Sequence, residues 1–189
     1  MNILILHSDF YSAAFAESNA GLKEEVDTVC KALVELKVKY VVRSIKTIEQ
    51  LPKILAANKQ KIVFNLVEEL PADIKHACLV PAICRSFGRK FTGSDTPALL
   101  LAQNKGQAKA ILKAAGVPTP DGVFVLVGQK ISAKNLTKGY YIVKPVFCDA
   151  SEGITADSIV SLGSKKMSVA IEKIHSQFGQ PAIVEQFIS

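Results

Sequence analysis

Lys144 ends an apolar run, Tyr140-Tyr141-Ile142-Val143, and leads through Pro145 into the small, polar stretch Cys148-Asp149-Ala150-Ser151-Glu152-Gly153-Ile154. A lysine leaving a buried strand beside such a loop is suited to clamp a phosphate. Its ammonium is a compact positive charge, and the loop's backbone N–H groups and the Ser151 hydroxyl can approach phosphate oxygens closely. The same placement also suits a lysine that lays its stem along the strand and keeps its ammonium in water. Neither a GxxxxGK[ST] phosphate loop nor a GxGxxG dinucleotide loop occurs in the chain. His76, Cys78 and Cys84 match no structural zinc spacing, and the four cysteines form no CxxC pair, so they are read as thiols in a metal-free chain.

The elements that must position Lys144 follow from composition and periodicity. With 189 residues, 49% hydrophobic and 21% charged, the chain has the make-up of a globular protein of one or two domains rather than of disorder, collagen or coiled coil. No apolar run approaches the roughly 18 to 20 residues of a spanning helix, and Met1-Asn2-Ile3-Leu4 lacks the basic start of a signal peptide. A cytoplasmic protein with no membrane partner is expected. The formal net charge of +6 is carried by scattered lysines with no long basic run and no interleaved aromatic stripe, which argues for a phosphate-bearing small molecule and against nucleic acid.

Asn2 to Leu6, Val38 to Val42, Lys61 to Leu66 and Lys90 to Thr92 read as strands, separated by helical patterns from Asn19 to about Lys37, Thr47 to Ala57 and Ile74 to Phe87. This alternation predicts a parallel sheet with right-handed crossovers. A further helix, Asn104 to Ala115, is closed by Gly116 and by Val117-Pro118-Thr119-Pro120, where the prolines forbid continuation. Beyond them the pattern changes to strands at Gly122 to Val127, Tyr140 to Lys144, Thr155 to Val160 and Ala182 to Phe187, with a helix from Ser164 to Phe178. The expected organisation is an α/β parallel-sheet domain over 1–117 and a small α+β unit over 118–189.

Seven short stretches in order resemble the D-alanine–D-alanine ligase family of ATP-grasp enzymes. They are Phe64-Asn65-Leu66, Phe91-Thr92-Gly93-Ser94, Asn104-Lys105 with Lys109, Gly116 to Pro120, Ile142-Val143-Lys144-Pro145, Ala150 to Ile154 and Val184-Glu185-Gln186-Phe187-Ile188. The resemblance implies a Rossmann-like pre-ATP-grasp domain followed by an ATP-grasp lid subdomain. It implies ATP and magnesium as cofactors, a carboxylate and an amine as substrates, and a homodimer as a candidate assembly. Lys105 and Lys144 would hold the ATP phosphates, Ser151 and the backbone around Gly153 would cover them, and Glu185 with the Gln186 to Ile188 backbone would meet the adenine.

Departures from the family fall on the substrate side. His7-Ser8-Asp9-Phe10-Tyr11-Ser12 stands where the true ligases carry a GG...E.EVS pattern, Val67-Glu68-Glu69-Leu70-Pro71 replaces a histidine- and glycine-rich loop, and Ala150 replaces a loop serine. Glu68 is a candidate contact for a substrate amine, or simply an exposed loop carboxylate. The family's magnesium ligands and phosphoryl-stabilising arginine are expected beyond Ser189, so the 189-residue chain is expected to be inactive alone. Two readings therefore stand: part of an ATP-dependent carboxylate–amine ligase working through an acyl phosphate, or a non-catalytic nucleotide or small-molecule binding module of the same fold.

Overall fold

A computed structural model describes residues 2–9, 16–70, 73–132, 134, 136–148, 151 and 153–188. The chain divides into two compact units, Met1–Leu100 and Leu101–Ser189.

The first unit is built on four parallel strands in the order β2-β1-β3-β4: β1 (Asn2–Ser8), β2 (Lys39–Ile45), β3 (Ile62–Leu66) and β4 (Lys90–Phe91). Alternate side chains of β1 enter two different cores. Leu4 and Leu6 join Leu51 and Leu55 of helix α2 (Gln50–Ala57) and Val80 and Cys84 of α3 (Val80–Ser86). Ile3 and Ile5 join Leu33 and Val29 of α1 (Ala16–Glu35) on the other face. Burial on both faces is why this strand reads as an unbroken apolar run rather than as an alternation.

The second unit holds an antiparallel sheet in the order β5-β8-β6-β7: β5 (Gly122–Val125), β6 (Tyr140–Pro145), β7 (Ile159–Ser161) and β8 (Ala182–Gln186). Helix α6 (Lys165–Phe178) covers one face, where Tyr141, Val143, Val160 and Val184 pack with Met167, Ile171 and Ile174. Ser164 caps α6 by accepting from the Met167 N–H at 3.3 Å. Among the described residues no helix is long and apolar enough to cross a membrane.

Three local differences from the sequence reading have physical causes. The expected helix from Ile74 to Phe87 is a 3₁₀ segment, Ile74–Leu79, followed by α3, because Pro81 in the first turn of α3 lacks the donor a continuous helix would need there. Helix α4 (Thr96–Gln103) has no counterpart in the sequence reading; it buries no residue, so its Leu99-Leu100-Leu101 run carries no helical stripe to detect. Helix α5 (Lys105–Ala114) falls within the second unit, whereas the prolines placed the expected boundary after it. The Phe124 ring of β5 lies against Gly106, where any Cβ would collide with it, and the Lys105 N–H donates to the Val146 carbonyl at 3.3 Å. These contacts bind α5 to the antiparallel sheet.

Candidate functional site

Strand register assembles a charged cluster on the sheet face opposite α6. Glu185 of β8 pairs with Ile142 of β6 and with Gly122 of β5. Lys144, two residues beyond Ile142, therefore projects from the same face as Glu185 and lies diagonally across from it. Its Nζ meets Glu185 Oε2 at 2.6 Å, while Lys109 Nζ, arriving from α5, meets Oε1 at 2.5 Å. Lys109 also donates to the Pro120 carbonyl at 2.6 Å, which ties α5 to the segment entering β5.

The carboxylate is enclosed and the cations are less so. The Glu185 side chain is 8% exposed, against 24% for Lys144 and 20% for Lys109. Burial pushes the Glu185 carboxyl upward, but hydrogen bonds and charge from Lys109 and Lys144 outweigh it and hold the group below its ordinary range. The cluster is thus two ammonium groups around one carboxylate, with an excess of one positive charge.

Lys105 supplies a third cation, next to the chain that follows Lys144. Its Nζ donates to the Cys148 carbonyl, four residues past Lys144. Asn104 caps α5 by accepting from the Gly106 and Gln107 N–H groups at 3.0 and 3.1 Å. The helix dipole adds partial positive charge at the end that carries Lys105.

Beyond Cys148 the loop is described at Ser151 and from Gly153 onward. Ser151 adopts φ 62°, the left-handed region a serine rarely visits, and its carbonyl accepts from the Ile154 N–H at 3.0 Å. Gly153 has φ 73°, and a Cβ there would sit 2.9 Å from the Phe178 ring, so glycine is required on both counts. Asp149, Ala150 and Glu152 lie outside the described residues, as do Phe10, Tyr11, Ser12, Pro71 and Ser189.

Next to the cluster the open sheet face is apolar. Tyr140, Ile142 and Ile159 lie on it, with Tyr140 65% exposed. Past Glu185, Gln186 donates its N–H to the Asp121 carbonyl and Phe187 donates to Tyr140; the side chains of Gln186, Phe187 and Ile188 are exposed. A flat planar ligand could lie on this face with its charged end toward the lysines.

Glu68 belongs to the first unit, exposed just past β3. The segments after β1 and β3 are joined there by the Ser8 hydroxyl, which donates to the Glu69 carbonyl, and buried His7 donates from Nδ1 to the Ser8 carbonyl at 2.7 Å. Asp9 pairs with Lys46 at 3.3 Å. Among the described residues no group of three or more His, Cys, Asp or Glu side chains is placed to hold a metal.

No family model matches the chain. Over 135 residues, 71% of this chain and 42% of the relative, it is 30% identical to D-alanine–D-alanine ligase B of Mesorhizobium japonicum. Over 136 residues, 72% of this chain and 40% of the relative, it is 28% identical to the D-alanine–D-alanine ligase of Caulobacter vibrioides. All of its fold matches 59% of the D-alanine–D-alanine ligase of Bacillus anthracis complexed with ATP, with a TM-score of 0.73 and 17% identity. The chain is D-alanine–D-alanine ligase-like.

This ligase-like chain spans about two fifths of the length of the curated relatives it matches. Sequence reasoning left one member of its charged cluster without a role. In the sequence Lys109 stands out only as part of a helix motif, yet it holds Glu185 as closely as Lys144 does. The available signal was its position four residues after Lys105, which puts both lysines on one side of α5.

Proposed function

We propose that the chain provides the phosphate- and base-binding surface of an ATP-dependent carboxylate–amine ligase. The observation that carries this reading is the Lys109–Glu185–Lys144 cluster, positive in sum, beside an open apolar sheet face. ATP would supply the phosphoryl group that turns a carboxylate into an acyl phosphate, which an amine then attacks to give an amide with release of ADP and phosphate. Lys105 and Lys144 would hold the phosphates as paired cations. The Ser151 hydroxyl and the amides about Gly153 would cover them. Glu185 and the Gln186 to Ile188 backbone would border the adenine, and Tyr140 and Ile142 would support its face.

The cluster fits a polyphosphate in sign and access, since its cations are the more exposed members and its carboxylate the most enclosed. Magnesium would arrive with ATP, and its protein ligands are proposed to lie in the portion of the relatives that this chain does not span. The identities of the carboxylate and amine would be set around the β1 and β3 ends, where Glu68 is the candidate contact for the amine. Such a protein would work in the cytoplasm, and a homodimer is its proposed assembly.

The chain alone is expected to bind ATP weakly, in the submillimolar to millimolar range, and to form no amide. Calorimetric titration with ATP and magnesium tests this, with Lys144→Met as the control. At least a tenfold loss of affinity in the variant is expected. An unchanged affinity, or amide formation by the chain alone, would contradict the reading.

A further inference from the structure

We propose that Lys109 is a positioning residue for the anion site at Lys144: it acts through Glu185 and does not itself contact the anion. The inference rests on the nucleotide reading above and adds a residue to it.

Two of the three N–H donors of Lys109 are already committed, one to Glu185 Oε1 at 2.5 Å and one to the Pro120 carbonyl at 2.6 Å. Its side chain is also the less exposed of the cluster's two lysines. Lys144 has only the Glu185 carboxylate as its ion-pair partner among the described residues, through Oε2 at 2.6 Å. Without Lys109 the carboxylate would face Lys144 alone, the pair would sum to zero, and an approaching phosphate would meet a dipole in place of a net positive charge. Lys109 therefore offsets the charge of Glu185 and leaves the charge of Lys144 available. Its bond to Pro120 has a second effect, because it fixes the cation relative to the chain entering β5, whose Gly122 is the register partner of Glu185.

A merely structural lysine and a direct phosphate ligand both predict that removing Lys109 harms binding. They differ from this proposal in what happens when the Glu185 charge is removed as well. With both charges gone, Lys144 again stands as one uncompensated cation, and affinity should return.

The test is titration of the folded chain and its variants with inorganic tripolyphosphate and with ATP at low ionic strength. Lys109→Met is expected to weaken both about tenfold. Lys109→Gln, which keeps a donor toward Glu185 and removes only the charge, is expected to do the same and serves if the methionine variant fails to fold. Lys109→Arg should bind within about threefold of the parent. The double variant Lys109→Met with Glu185→Gln should recover its affinity for tripolyphosphate, which has no adenine for Glu185 to meet, to within about threefold of the parent. A double variant as weak toward tripolyphosphate as Lys109→Met would overturn the proposal in favour of direct contact or a structural role. Parental affinity in Lys109→Met and Lys109→Gln, with binding lost in Lys144→Met, would overturn it while leaving the nucleotide reading intact. Parental affinity in Lys144→Met would remove the reading on which it rests.

Discussion

Glu185 is held between two lysines, whose hydrogen bonds and charge together outweigh the cost of its burial. Replacing it by Gln leaves two ammonium groups facing each other without a counter-charge. Breaking a buried ion pair costs about 3–5 kcal/mol, and partial solvation of the lysines reduces this to an expected loss of about 1–2 kcal/mol. Urea unfolding of Glu185→Gln measures it. The depressed carboxyl also sets a pH signature. Between the folded and unfolded values the unfolded chain binds more protons, so stability rises with pH there. The contribution of Glu185 is complete above the ordinary glutamate value of about 4.3 and is lost as pH falls through the lower folded value. Stability measured from pH 3 to 7 should show this acid-side fall in the parent, and the Gln variant should lack that part of it. Lys144 and Glu185 were legible in the sequence as strand-end residues, but their contact was not, because it depends on β6 and β8 being neighbours with Ile142 opposite Glu185.

Among the elements, β1 was readable because two cores between them demand an apolar residue at each position from Ile3 to Leu6. Helix α4 was not, since it buries none of its residues and so has no periodic stripe. The placement of α5 depended on a tertiary contact that no local pattern reports: Gly106 under the Phe124 ring. This contact yields a prediction. Gly106→Ala gains helix propensity of about 1 kcal/mol, yet overpacking costs of about 1–3 kcal/mol are expected to win because the added carbon meets an aromatic ring. The variant should melt below the parent, and Phe124→Ala in the same chain should recover part of the loss. A higher melting temperature for Gly106→Ala would show that the ring moves aside freely.

For the molecule as a whole, two sheets of different kind were legible in the sequence, because strand and helix alternate before α4 and strands dominate after α5. Charge follows the same division: residues 101–189 hold ten lysines, no arginine and six acidic side chains, and so carry most of the net positive charge. Among the described residues, each core cluster draws on one unit alone. Residues 95–189 expressed alone should therefore fold, with a cooperative thermal transition and ATP affinity within about threefold of the full chain. The central claim is that nucleotide phosphates bind the lysine cluster of the second unit. Amide chemical-shift mapping of the isotope-labelled chain during ATP addition tests it most directly. Saturable shifts are expected at residues 104–109, 144–148, 151–154 and 185–188, with residues 2–95 undisturbed. Shifts confined to residues 2–95, or none at millimolar ATP, would contradict it.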